Sequence, residues 1–472
     1  MNRIILTALL FLTFVGCAKD DRIEWPPTGQ PTEGRTLIYY MVCDNDLTPD
    51  IYKNLMQVAG VKIKNPDDRV VAFIDHHHAS PLSTDPQVVQ FDGNGYHRVL
   101  KTYPEGNSCD PVFFREILDY IIAEFPSQSY GLVLSSHGSG WSYNPENTAR
   151  SFGGDMIGEN GLPIAPQFIN IKSLAQQLPM KFDFILFDAC LMAQVEVAYE
   201  LKDKADFLLA SPITIDGKGF AYDSIQSYLL NRPTADLKSA ADWFYDHYGA
   251  PDNSYGAIIS IVDLSQMGQL AAVQRGLFEK YGVTGSLLRS EMGLLNPPPP
   301  TSPPTEDDNT GTDPEAKPDP KPEEPPAEEV LINLYLNGTS FKDIPYYDEV
   351  WANRYNFNYL SFIEAALGEN VDPVDLNSLK NQLNKTVIYN RHSKNFYIQA
   401  TVNNERFQIE RRGSVVAENS YQINTVESSS LSTYIPFAPF FDNDGGQYTV
   451  DRDYYKQLGW YAASGMDRLF AE

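Results

Sequence analysis

The sequence predicts an α/β fold: a three-layer α/β/α sandwich around a mostly parallel central sheet, followed by an α+β part at the carboxy terminus. Three observations predict it. From Arg35 to about Tyr281, apolar runs alternate with stretches whose apolar residues recur at three- and four-residue spacing, the pattern of alternating strands and helices. The runs ending at Ser136 and Asp188 are apolar almost throughout, as strands buried on both faces are. With 472 residues, 42% of them hydrophobic and 12% aromatic, the chain can bury a sizeable core and at least one further module.

Strands are expected at Thr36–Cys43, Val70–Asp75, Gly131–Ser136, Phe182–Asp188 and Ala257–Val262, with a shorter one at Phe207–Ala210. Helices are expected at Pro49–Val58, Pro111–Ala123, Ile171–Leu178, Ala193–Leu201, Leu237–Tyr248 and Met267–Lys280. Val88–Phe91 and Tyr96–Leu100 flank Asp92-Gly93-Asn94-Gly95, a hairpin signal. Residues 296–329 break the pattern, with twelve prolines, ten acids and two lysines. They read as a solvated, polyproline-rich disordered insert between the core at 35–295 and the carboxy-terminal part at 330–472. That last part should hold a helix near Asn358–Leu367, strands near Val387–Tyr389, Phe396–Val402 and Ser432–Ile435, and a final helix at Tyr454–Phe470.

The amino terminus has the form of an export signal. Met1-Asn2-Arg3 precedes the apolar run Ile4–Val15, which is too short to span a bilayer, and Phe14-Val15-Gly16-Cys17 resembles a bacterial lipobox. On this reading residues 1–16 are removed, Cys17 carries the lipid and 17–34 form a tether. The expectation is a lipid-anchored protein of a bacterial cell envelope, at the outer membrane. An ordinary cleaved signal is the alternative. Without Cys17, the three cysteines Cys43, Cys109 and Cys190 leave at least one free thiol in an oxidising compartment. No CxxC, HExxH or phosphate-loop motif occurs, and the net charge of −26 argues against nucleic acid and for basic partners. His76-His77-His78 could ligate a metal only if a third ligand joined them, and none is evident.

Two expected strands end in reactive residues. Tyr130–Ser136 runs into His137-Gly138-Ser139-Gly140, and Phe182–Asp188 into Ala189-Cys190. The carboxyl edge of a parallel sheet is where sites are built. A thiolate at Cys190 can attack a carbonyl while the His137 imidazole protonates the leaving group, and the backbone N–H groups of Gly138 and Cys190 can receive the oxyanion. A helix starting at Leu191 would favour the thiolate. Singly, Cys190 reads as a buried inert thiol and His137 as a loop histidine, whereas at matched strand ends they read as a pair.

The chain here resembles the clostripain family of cysteine peptidases, relatives of caspases. The resemblance rests on Thr36–Leu47 with its Asp44-Asn45-Asp46-Leu47 turn, Ser136–Trp141, Asp188–Met192, and Leu431–Pro436 followed by Trp460. Ser211-Pro212-Ile213-Thr214 departs from the family's pattern. The resemblance implies a caspase-like fold and cleavage of protein or peptide substrates after Arg or Lys, with Asp188 in the pocket for the basic side chain. A strand-end turn is the plainer reading of Asp188. Asp44 and Asp46 read first as turn-formers. No cofactor is expected, although calcium dependence occurs among relatives. The polar stretch Ser142–Gly161, expected as a loop over the active-site edge, contains Arg150 as its only basic residue, a candidate for self-cleavage. The rival reading is a catalytically silent surface lipoprotein that uses the same fold for binding.

Overall fold

The computed structural model describes residues 25, 28–76, 85–141, 151–157, 163–249, 256–285, 357–393, 429–434 and 452–470, with the backbone alone of strand segments between 395 and 424. The signal segment, Cys17, Arg150, His77, His78 and the proline-rich insert lie outside the described residues.

The strands in chain order are β1 (Thr32–Cys43), β2 (Arg69–His76), β3 (Gln87–Phe91), β4 (His97–Thr102), β5 (Ser127–Ser135), β6 (His137–Gly138), β7 (Phe152–Ile157), β8 (Pro163–Ile169), β9 (Phe182–Asp188), β10 (Ala205–Ala210), β11 (Ile258–Asp263), β12 (Phe357–Asn358) and β13 (Val387–His392). Nine of them form one sheet in the order β13-β11-β10-β9-β5-β1-β2-β3-β4. Its five central strands, β10, β9, β5, β1 and β2, are parallel. Antiparallel strands close both edges, the β3–β4 hairpin on one side and β11 and β13 on the other. The edge strand β13 follows the insert, so the later part of the chain completes the sheet that the earlier part begins.

Side chains of β1 alternate between two cores, as period two requires. Leu37, Tyr39 and Met41 join Ile51, Leu55 and Val58 of α1 (Thr48–Gly60) on one face, together with α5 (Tyr222–Leu229) and α6 (Leu237–Tyr248). Ile38, Tyr40 and Val42 join the opposite core, with α2 (Pro111–Glu124), α3 (Ile171–Gln177), α4 (Val195–Leu201) and α7 (Met267–Lys280). Helices α8 (Tyr359–Leu367) and α9 (Pro373–Thr386) add Tyr359, Phe362, Leu379 and Leu383 to that second core. Helix starts follow local chemistry: Asp110 precedes Pro111 and accepts from the N–H groups of Val112 and Phe113, and Asn170 accepts from Ser173 N–H.

Several expectations need correction. Helix α4 begins at Val195, because Leu191 adopts a left-handed backbone (φ 64°) and the chain turns before it coils. The helix-terminus argument for Cys190 therefore falls away. The final helix expected over Tyr454–Phe470 is three short turns, at 452–455, Gly459–Ala463 and Asp467–Phe470. Ser142–Gly161 is not a loop throughout, since Phe152–Ile157 is a strand of a three-stranded sheet, β6-β7-β8, buried over Phe152–Asp155. Helices α5 and α9 are additional to the expected ones. Among the described residues no helix is long and apolar enough to cross a membrane.

Candidate active site

Strands β5 and β9 are parallel neighbours, paired with Ser135 opposite Asp188. His137 stands two residues beyond Ser135 and Cys190 two beyond Asp188, so the sheet delivers both to one edge at the same level. Ser136 N–H donates to Asp188 C=O (3.3 Å), which carries the register past the strand ends. Gly138 seals the approach: a Cβ there would stand 2.5 Å from Cys190 C=O and 2.9 Å from the Ala189 methyl. Only glycine lets these two backbones touch.

Cys190 is partly exposed, whereas Cys43 and Cys109 are buried. Its sulfur accepts from Ile215 N–H (3.4 Å), a contact that strengthens when the sulfur is ionised. Leu191, buried and at positive φ, costs about 1–2 kcal/mol of backbone strain. Pairing with the next segment holds it there, since Leu191 N–H donates to Ile213 C=O (3.1 Å) and Ala193 N–H to Ser211 C=O (2.9 Å). The Ser211–Ile213 run thus supports the cysteine turn through its backbone, which side-chain identity did not reveal.

The His137 ring donates from Nε2 to Asp46 Oδ1 (2.8 Å). Asp46 is more than a turn-former, since its carboxylate fixes one ring nitrogen and leaves Nδ1 for other partners. Strand β7 lies against the ring at Gly154 (φ 126°), where a Cβ would crowd His137 Cδ2 at 3.1 Å. Ser136 Oγ is within 2.6 Å of Val42 C=O and 2.9 Å of Gly153 C=O, tying β7 to the sheet edge.

A cavity of about 170 Å³ opens beside the pair, lined by Leu47, Asn54, His137, Asp188, Cys190 and Asp216 among others. Asp188 forms part of its wall. The carboxylate accepts from Tyr222 Oη (2.6 Å) and from Phe220 N–H (3.2 Å), and burial raises it to about 6 against those hydrogen bonds. Gly219 (φ 60°) lies against it, leaving no space for a Cβ. Asp188 thus anchors the 216–222 turn, as a strand-end turn residue would, and also forms part of the cavity wall. Asp216, which sequence reasoning did not single out, adds a second carboxylate; a Gly-flanked acid in a turn offers no sequence signal.

A second cysteine and histidine also meet, with Cys43 Sγ 3.8 Å from His76 Nδ1. Both are buried, burial lowers His76 to about 4 and pushes Cys43 well up, and the Cys43 thiol donates to Asp75 C=O (2.7 Å). That pair is neutral and sealed, which suits packing rather than chemistry. Among the described residues no three His, Cys, Asp or Glu side chains are placed to hold a metal ion, so no calcium ligands are assigned.

A partly exposed thiol and an imidazole at adjacent parallel strand ends agree with what comparison with known proteins finds. The clostripain family profile matches residues 39–285, more than half of the chain. The chain belongs to the clostripain family, a family of cysteine peptidases. Clostripain of Hathewaya histolytica is 26% identical over 221 residues, covering 40% of this chain and 41% of the relative, so the match spans about two-fifths of that protein. A secreted cysteine protease from Bacteroides thetaiotaomicron, solved with an irreversible peptide inhibitor, has the same fold at a TM-score of 0.63 and 22% identity, over 92% of this chain and 99% of its own. An inactive zymogen protease from Parabacteroides distasonis matches at a TM-score of 0.63 and 23% identity, over 92% and 98%. The expected caspase-like α/β sandwich is thereby established, as is the family.

Proposed function

We propose that this protein is an endopeptidase that cleaves after Arg or Lys, with Cys190 as nucleophile and His137 as acid and base. The observation that carries the reading is the register-matched pair beside a cavity holding Asp188 and Asp216. A buried carboxylate selects a cation and repels acidic side chains, which supports basic specificity. The Cys190 thiolate attacks the scissile carbonyl carbon, and electrons move onto the oxygen. Collapse of that intermediate breaks the C–N bond as His137 protonates the departing amine, leaving an acyl group on sulfur. Water, deprotonated by His137, then releases the acid and restores the thiol. Asp46 orients the imidazole throughout. Among backbone donors, Gly138 N–H suits the oxyanion: Ser139 N–H is used by Ser151 C=O, and alternation along the ladder turns the preceding N–H away from β7. Cys190 N–H is the second candidate.

Two further proposals stand on the sequence. Arg150, immediately before the buried Ser151, is the site of self-cleavage, and Cys17 carries a lipid that holds the protein to an envelope membrane. The deciding experiment offers fluorogenic peptides that differ only in the residue before the cut to wild-type, Cys190→Ala and His137→Ala proteins. Turnover confined to Arg and Lys peptides, absent in both variants and blocked by a thiol alkylator, is expected. Absence of turnover by a folded wild-type protein on every peptide would leave the binding-protein reading.

A further inference from the structure

We propose that Gln194 is a positioning residue for the reaction, holding the glycine loop after His137 in register with the turn that carries Cys190. The proposal rests on the reading of Cys190 and His137 as the reacting pair. Gln194 is buried at the amino-terminal boundary of α4, 53 residues beyond Trp141 in the chain, yet its Oε1 accepts from Trp141 N–H (2.8 Å). Gly140 lies flush on the carboxamide: its φ is 71°, and a Cβ would stand 2.0 Å from Gln194 Nε2. The loop Gly138–Trp141 is thus gripped twice, by Ser139 N–H on Ser151 C=O on one side and by the glutamine on the other.

The anchor itself is firm. Ala193 N–H donates to Ser211 C=O (2.9 Å), Ser432 N–H donates to Ala193 C=O (3.0 Å), and Gln194 C=O accepts from Ala198 N–H (2.9 Å) as the helix starts. A single side chain thereby joins the cysteine turn to the segment that carries both the imidazole and the Gly138 N–H. Glutamine suits the place because it is long enough to cross between the segments and brings an acceptor with no charge to bury. A loop misplaced by about 1 Å costs on the order of 100-fold in rate, since an oxyanion donor works only at hydrogen-bond distance.

The test compares Gln194→Met, which keeps length without an acceptor, with Gln194→Glu, which keeps an acceptor oxygen, in the full chain checked for native near-UV circular dichroism. For Gln194→Met, kcat is expected to fall about 30- to 100-fold with KM within about threefold. The rate of Cys190 alkylation by iodoacetamide, which forms no oxyanion, should stay within about threefold. The inhibition constant of a peptidyl argininal, whose adduct uses the oxyanion donors, should rise in step with the loss of kcat. Gln194→Glu should recover part of the rate. Gly140→Ala, which displaces the carboxamide from the other side, should give the same division and serves if Gln194→Met does not fold. A folded Gln194→Met or Gly140→Ala protein with kcat within threefold of wild type overturns the proposal, as does alkylation falling in parallel with kcat. Turnover retained by Cys190→Ala would instead overturn the reading beneath it.

Discussion

Replacing Asp188 by Asn should make the protein more stable above neutral pH and, under the specificity proposed above, selectively slow cleavage of Arg and Lys peptides. Burial raises the Asp188 carboxyl from 3.8 to about 6, a little over two units, or about 3 kcal/mol at 1.36 kcal/mol per unit. The sign follows from the direction. A carboxyl whose folded value is raised keeps its full stability below the unfolded value near 3.8 and loses it as pH climbs through about 6, because the fold then holds an ionised group away from water. Asn cannot ionise, and its Oδ1 can still accept from Phe220 N–H while Tyr222 Oη accepts from its amide. In a Cys190→Ala background that prevents self-digestion, urea unfolding of the two proteins should agree within about 1 kcal/mol at pH 4 and diverge by about 3 kcal/mol in favour of Asn at pH 8. In the active background, kcat/KM on Arg and Lys peptides should fall by about 2–5 kcal/mol, roughly 30- to several-thousand-fold, with neutral peptides little changed. A stability difference independent of pH would refute the buried charge. Equal loss on all peptides would refute the specificity role and leave Asp188 as an anchor of the 216–222 turn.

Other consequences are as direct. Asp46→Asn should lower kcat no more than about fivefold with KM unchanged, because an exposed ion pair contributes about 0.2–1 kcal/mol; a loss beyond 100-fold in stopped-flow assays would make Asp46 a full partner in proton transfer. Gly138→Ala should cut kcat/KM by about 10²–10³, since its Cβ meets Cys190 C=O at 2.5 Å and must push the two site segments apart, and wild-type rates in the folded variant would contradict that contact. Glu196, buried and raised to about 7, accepts from Thr433 Oγ1 (2.9 Å), Tyr434 N–H (3.0 Å) and Tyr455 Oη (3.1 Å), so it binds the segment after the insert to α4. Glu196→Gln should raise Tm at pH 8 and not at pH 4, because ionisation of the raised carboxyl removes stability as pH rises from 4.5 through about 7; a lower Tm at pH 8 would mean that the charge itself is used.

The strand–helix alternation, the hairpin at Asp92–Gly95 and the starts of α2 and α3 were legible in local pattern, because burial period, turn chemistry and the proline at a helix start are read within a few residues. The sequence also determined the candidate pair, since His137 and Cys190 each end a run apolar enough to be a central strand. Family resemblance added the expectation of a pocket for a basic side chain. Tertiary structure decided what faces what. The partnership of Asp46 with His137 spans 91 residues and depends on β1 lying beside β5. Asp216 reaches the cavity only because the turn after β10 folds back under Asp188. The burial of β7 and the carboxamide of Gln194 against Gly140 likewise follow from strand order and register, which local pattern does not encode. Leu191 shows the limit most clearly. A leucine has no local reason to adopt a positive φ, and it does so here because the Ser211–Ile213 backbone pairs with the turn and holds it there against the strain.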